Sequence, residues 1–290
     1  MSVDYDRIHK PIRKLRKLLK TFPKNPSFDE VHDLRSNIRR IEVILAALSL
    51  DSKGTDRRLL KDLARVRKRG SKVRDADVFT RFTADCHPAG EEDCSLELLE
   101  HLGAERKRRA AKLYSTISRR SALLDDGLRR TSKHVSKALE DQANGSSSSG
   151  QSGISATALK LESELAEPLR LSRQNLHPYR LKVKELQNLL RTAQRPKNPS
   201  FVRTLRKVKD AIGEWHDWQE LSLLAAEILA QEDKCSLVRQ LKEMTQRKFT
   251  DALTVTESMR RQYFKVSLKK RPRTGRVARP AWEAALAIAA

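Results

Sequence analysis

The chain has 290 residues, enough for one large or two small hydrophobic cores, and its 60 Lys and Arg against 37 Asp and Glu give a formal net charge of +23. We expect no membrane span, because no run of about 18 apolar residues occurs, and we expect no signal segment. The three cysteines lack a paired spacing and favour an intracellular protein without disulfides. The charge excess predicts a polyanionic partner: nucleic acid, polyphosphate or an anionic membrane surface.

Nearly every segment has the composition and periodicity of an α-helix. Leu, Ala, Arg, Lys and Glu dominate, and the alternation typical of strands is scarce. Clusters of Pro, Gly, Asn and Ser interrupt the pattern and set the expected helix ends. We therefore predict eight helices, at about residues 4–21, 27–49, 55–84, 92–140, 155–173, 175–194, 199–231 and 233–265.

A stretch of Asn, Gly, Ser and Gln near the middle of the chain contains no strongly hydrophobic residue, which predicts a flexible linker. It leaves about four helices on each side. The predicted fold is all-α, with two pseudo-symmetric four-helix bundles that arose by internal duplication. The predicted divisions are 1–143 for the first half, 144–153 for the linker, 154–266 for the second half and 267–290 for a basic C-terminal tail.

The second predicted helix of each half carries matching basic residues at an offset of 145. On a helical projection these residues form one stripe along the shoulder of the apolar face, so neighbouring helices should half shelter them. Arg191 extends the stripe in the second half. The matched pairs are His32 and His177, Arg35 and Arg180, and Arg39 and Lys184.

The third predicted helix of each half repeats as well, at an offset of 142. Arg67 and Arg74 match Lys209 and His216, and Asp75 matches Asp217. One basic residue beside a core face is usually structural, but basic residues that recur at matched places in both halves predict two basic seams that bind a ligand. The two Asp residues either orient the neighbouring basic side chains or form salt bridges between helices.

These blocks resemble the signatures of a known family, the CHAD domain (conserved histidine α-helical domain). His32-x-x-Arg35-x-x-x-Arg39-Arg40 resembles the first signature and Arg74-Asp75-Ala76-Asp77 the second. The second half repeats both, as His177-x-x-Arg180-x-x-x-Lys184 and Gly213-Glu214-Trp215-His216-Asp217.

The resemblance extends to about residue 265. It implies the duplicated four-helix fold and specific binding of inorganic polyphosphate in a basic central groove. The second half departs from the family pattern at Glu185, Gln187-Asn188 and Gln219, so we expect it to contribute less to the site. The implied binding positions are His32, Arg35, Arg39, Arg40, Arg67, Arg74, His177, Arg180, Lys184, Lys209 and His216.

This residue chemistry suits a linear phosphate chain. Arg grips two phosphate oxygens with its planar fork, Lys supplies a mobile charge, and His gains a donor when a nearby anion raises its pKa. On a helix, positions i, i+3 and i+7 lie about 4.5 and 10.5 Å along the axis, so one stripe can follow several phosphates.

Two other functions remain as alternatives. The same basic surface could bind nucleic acid, although the stripes lack the aromatic residues on which single-stranded bases stack, and non-specific binding is expected at low salt. It could also clamp an acidic protein partner. We expect no enzyme, cofactor or metal site, because no Walker loop, Ser–His–Asp arrangement or carboxylate cluster is evident.

The basic run Lys269-Lys270-Arg271-Pro272-Arg273 resembles a nuclear-import patch. It predicts a nuclear or nucleolar location in a eukaryote. In a bacterium the expected location is polyphosphate granules.

Overall fold

The computed structural model describes residues 5–52, 54–86, 92–143, 149–167, 170–192, 198–229 and 235–264. Every regular element in these ranges is an α-helix, which confirms the predicted fold class. The helices are α1 Tyr5–Lys20, α2 Phe28–Ala47, α3 Gly54–Asp85, α4 Glu92–Ala143, α5 Ser149–Ala166, α6 Leu176–Thr192, α7 Pro199–Ile228 and α8 Ser236–Phe264.

Helix α5 differs most from the prediction. It begins at Ser149, inside the segment expected to be a linker, because a helix nucleated further along the chain extends through Ser and Gly at about 1 kcal/mol per residue or less. It ends at Ala166 rather than at 173, since Pro168 disfavours helical backbone in the residue before it. Residues 144–148 and the basic tail 267–290 lie outside the described residues.

The same three residue types, Asn-Pro-Ser, occur at 25–27 and at 198–200, but the two helices begin at different positions of this motif. Before α2, Ser27 forms a capping box with Glu30: the Glu30 amide donates to Ser27 Oγ at 3.2 Å and the Ser27 amide to Glu30 Oε2 at 2.7 Å. Before α7, Asn198 is the N-cap and Pro199 follows it directly. The side chain available to bond the first turn therefore decides where each helix begins.

Arg106 of α4 ties the α1–α2 connection to α3. Its Nε donates to Asp77 Oδ1 at 2.5 Å, Nη1 to Asn25 Oδ1 at 2.8 Å and Nη2 to the Pro26 carbonyl at 2.6 Å. Asp77, which belongs to the block at residues 74–77, therefore holds the arginine that contacts the connection before α2.

The buried apolar side chains of the described ranges form three hydrophobic clusters. One contains residues of α1 to α4, and a second contains residues of α5 to α8. The third lies where α3 and α4 meet α7 and α8, with the rings of Phe82 and Trp218 stacked 4.2 Å apart. This third cluster joins the two groups of helices, while their origin by duplication stays a prediction.

Across the described ranges, no helix combines the length and apolar character that a bilayer crossing requires.

We predict that Trp218→Ala lowers the free energy of unfolding by about 3–5 kcal/mol, because a large ring that is only 4 % exposed leaves a cavity between the two groups of helices. Leu223→Ala, on the same helix but 61 % exposed, should change it by less than about 0.5 kcal/mol. Urea unfolding followed by circular dichroism measures both. Equal stability of the two variants would contradict a joining role for the third cluster.

Candidate functional site

Four helices meet at the centre of the molecule, because α2 contacts α6 and α3 contacts α7. Six basic side chains lie close enough along these contacts for their charges to interact. We call this set the central cation cluster: Arg35 and Arg39 of α2, Arg67 and Arg74 of α3, and Arg180 and Lys184 of α6.

A glycine of the next helix makes room for one arginine in each group. Arg180 Nε donates to the Lys209 carbonyl at 3.2 Å, and a Cβ at Gly213 would lie 2.6 Å from Arg180 Nη2. Arg35 Nε donates to Ser71 Oγ at 3.2 Å beside Gly70, where a Cβ would lie 3.2 Å from Arg35 Cγ. Each guanidinium is thus held across the backbone of the neighbouring helix.

Arg74 links the two groups of helices electrostatically. Its Nη1 lies 2.9 Å from Asp217 Oδ2 and 3.4 Å from Asp75 Oδ1. Burial raises the pKa of Asp75, Arg74 lowers it, and the nearby Asp217 raises it further. Arg74 therefore offsets the repulsion between two carboxylates that occupy matching positions in the two sequence repeats.

The cluster carries more positive than negative charge. Its six cations are close to four carboxylates, those of Asp75, Asp217, Asp210 and Glu42, the last of which lies 2.9 Å from Arg67 Nε. Six cations against four carboxylates leave an excess of positive charge, and Asp210 is shared with Lys209. An anionic ligand would relieve this excess, which solvent screens poorly in a partly buried site.

Repulsion between the cations of the cluster also lowers their pKa values. Burial, and then the charges of Arg39, Arg180, Arg67 and Arg35, lower the pKa of Lys184 to about 8. Burial followed by neighbouring arginines lowers the pKa of Arg35 to about 10, and burial is also the largest cause of the lowered pKa of Arg39 and Arg180.

Two buried nitrogens in this region have no hydrogen-bond partner among the described residues, Arg39 Nε and His177 Nδ1. The ring of His177 lies 4.4 Å from that of His216, centroid to centroid. Burial, the charge of His216 and the charge of Arg180 lower the pKa of His177. Buried polar groups normally find partners, so each of these nitrogens is an unmet hydrogen-bonding group beside the cluster.

The other predicted site residues lie elsewhere or are already paired. His32 is exposed on α2, with Ser36 Oγ 3.3 Å from its Nε2, and Arg40 is exposed on the same helix. Lys209 Nζ lies 2.9 Å from Asp210 Oδ1, which neutralises it. Arg191 belongs to α6, but its side chain lies outside the described residues.

Several residues that shape the site were not expected from the sequence. Glu42 pairs with Arg67, Ser71 accepts from Arg35, and Gly70 and Gly213 give the two arginines space. The available signal was a glycine in the middle of each long helix, where glycine weakens the helix unless close packing requires it.

A separate cleft of about 590 Å³ lies between α3, α7 and α8, over Phe82 and Trp218. Three cations and three carboxylates line it, including the pair formed by Lys248 Nζ and Glu214 Oε1 at 2.9 Å. Its balanced charge distinguishes it from the central cation cluster. In the described ranges, no three His, Cys, Asp or Glu side chains lie together as metal ligands.

Comparison with known families gives one match: the sequence model of the CHAD domain matches residues 7–226. No curated protein and no solved structure matches the chain.

Proposed function

Because the chain belongs to the CHAD domain family, we propose that it binds inorganic polyphosphate in the central cation cluster and holds it without chemical change. The observation that carries the proposal is the excess of positive charge where α2, α3 and α6 meet, together with the unpartnered Arg39 Nε. Both features favour a ligand with several negative charges on one chain.

The spacing of the cations suits a linear phosphate chain. Arg35 and Arg39 lie one helical turn apart on α2, and Arg180 and Lys184 lie one turn apart on α6, so each pair spans about 6 Å. Arg67 and Arg74 add a third row of about 10.5 Å on α3. Successive phosphates can bond to cations of both groups of helices through charge-assisted hydrogen bonds.

The carboxylates of the site favour holding over cleavage. Asp75 and Asp217 bind Arg74, and Glu42 binds Arg67. Metal-assisted phosphate cleavage would need carboxylates that are free to hold the metal or activate water. Here they position arginines instead.

The requirement of unpaired bases for aromatic stacking favours polyphosphate over single-stranded nucleic acid at this site. Single-stranded nucleic acids gain much of their affinity from stacking on aromatic rings, and Tyr179 of α6 and Trp215 of α7 are buried in the hydrophobic interior. Polyphosphate has no bases and needs only spaced cations.

We predict that Arg35→Gln combined with Arg180→Gln weakens polyphosphate binding about 100-fold or more, because each change removes a charge-assisted contact worth about 1.5–3 kcal/mol. Titration calorimetry with long-chain polyphosphate at about 150 mM salt measures the affinity. Circular dichroism should show unchanged helix content.

Arg203→Gln with Lys207→Gln is the matched control, since it removes two exposed charges from α7 away from the cluster. It should keep the affinity within about threefold, as expected for distant surface charges in screening salt. If both double variants bind polyphosphate alike, the central cation cluster is not the binding site.

We also predict that binding weakens with rising pH because of Lys184. Its pKa of about 8 in the free protein means that it is charged below pH 8 and neutral above it. A bound polyanion stabilises the charged form, so binding takes up a proton, and the affinity should fall about tenfold between pH 7.5 and 9.

Lys184→Arg tests this assignment, because arginine keeps its charge over this pH range. Calorimetry in buffers of different ionisation enthalpy should show proton uptake at pH 8.5 for the unchanged protein and little for the variant. The same pH dependence in both proteins would mean that another group titrates.

A further inference from the structure

The outward side of α3 is densely basic. Its residues lie on one arc of about 120° around the helix, on the side away from Arg67 and Arg74, and extend about 22 Å along it. All are exposed, and we call them the α3 outer face: Arg57, Arg58, Lys61, Arg65, Lys68, Arg69 and Lys72.

Little negative charge balances the α3 outer face. Asp62 lies at its edge and is shared by Arg65 Nη1 at 3.2 Å and Arg120 Nη1 at 2.6 Å. The remaining six cations form no ion pair within the described ranges. Like charges one turn apart on a helix destabilise it, so this arrangement costs stability.

The matching helix of the second half shows that the fold does not require this charge. At the offset of 142, both helices bury the same core positions, such as Leu63 and Leu205. The seven positions of the α3 outer face carry seven positive charges. The net charge of the seven counterparts on α7 is zero: Pro199, Ser200, Arg203, Lys207, Asp210, Ala211 and Glu214.

Two positions account for most of the difference in net charge between the α3 outer face and its counterpart on α7. Where α3 has Lys68 and Lys72, α7 has Asp210 and Glu214. These two acids are exposed and paired on the surface, Asp210 with Lys209 at 2.9 Å and Glu214 with Lys248 at 2.9 Å. The neutral version of the face is therefore compatible with the same helix packing, and the basic version points to a ligand.

The chemistry of the α3 outer face narrows the choice of ligand. No large apolar side chain is exposed on α3, which disfavours insertion into a membrane surface. The face has no aromatic residue for stacking unpaired bases or for anchoring a protein partner. Its cations are exposed to solvent, whereas the central cation cluster is sheltered.

A straight row of solvated cations fits a stiff rod of phosphates. We propose that the α3 outer face binds the sugar–phosphate backbone of double-stranded nucleic acid, without reading its base sequence and separately from the central cation cluster. Its length corresponds to about six base pairs at 3.4 Å each. Such contacts position the protein on a duplex and depend steeply on salt.

The test exchanges the two divergent positions for the residues that α7 carries. Lys68→Asp with Lys72→Glu changes the net charge by the same amount as the control, Arg203→Glu with Lys207→Glu on α7. Fluorescence anisotropy measures binding of a duplex of about 20 base pairs, DNA or RNA, between about 50 and 200 mM salt. Long-chain polyphosphate is titrated in parallel.

We expect the α3 variant to lose about tenfold or more in duplex affinity and to show a shallower salt dependence by about two counterions, while the α7 control binds the duplex nearly as the unchanged protein does. Polyphosphate affinity should stay within about twofold in both. Equal losses of duplex binding in the two variants would overturn the proposal. So would a loss confined to polyphosphate, which would make the α3 outer face part of the polyphosphate site.

The two proposals fail separately. Arg35→Gln with Arg180→Gln should leave duplex binding to the α3 outer face within about threefold while it weakens polyphosphate binding. A variant of the central cation cluster that loses both ligands to the same degree would show one shared surface and overturn the separation.

Discussion

Like charges repel most where water is partly excluded, and α2, α3 and α6 bring six cations together in such a place. Asp75, Asp217 and Glu42 offset part of this repulsion, and Gly70 and Gly213 let two arginines cross the neighbouring backbone. The hydrophobic cluster around Phe82 and Trp218 holds the two groups of helices together despite it. A ligand with several negative charges can balance the remaining positive charge of the central cation cluster.

The two groups of helices share a sequence pattern but contribute unequally to the basic surfaces. Arg74 binds the carboxylates of both repeats, whereas its counterpart is His216, whose ring lies against His177. Lys209, the counterpart of Arg67, is neutralised by Asp210. The exposed charge of the α3 outer face also has no equivalent on α7. The first half therefore supplies four of the six cations of the central cation cluster, and the second half completes it with Arg180 and Lys184.

The sequence predicted the helices well because their signals are local, as the capping box of Ser27 and Glu30 illustrates. A helical projection also placed Arg35, Arg39, Arg180 and Lys184 on the sheltered shoulder of their helices. It left open that Asp217 forms a salt bridge between helices, but it could not identify Arg74 as the partner. Nor could it tell that Lys209 pairs with its neighbour Asp210, because adjacent side chains on a helix leave its surface in different directions.

The most direct test of the account is titration calorimetry of the unchanged protein with long-chain polyphosphate, single-stranded RNA and pyrophosphate, first at about 150 mM and then at about 500 mM salt. A sheltered cluster that bonds several phosphates at once predicts tight binding of polyphosphate that persists at the higher salt. It predicts weak binding of pyrophosphate, which is too short to reach all six cations. Equal affinities for polyphosphate and RNA that fall together as salt rises would contradict a dedicated site and leave only a generally basic surface.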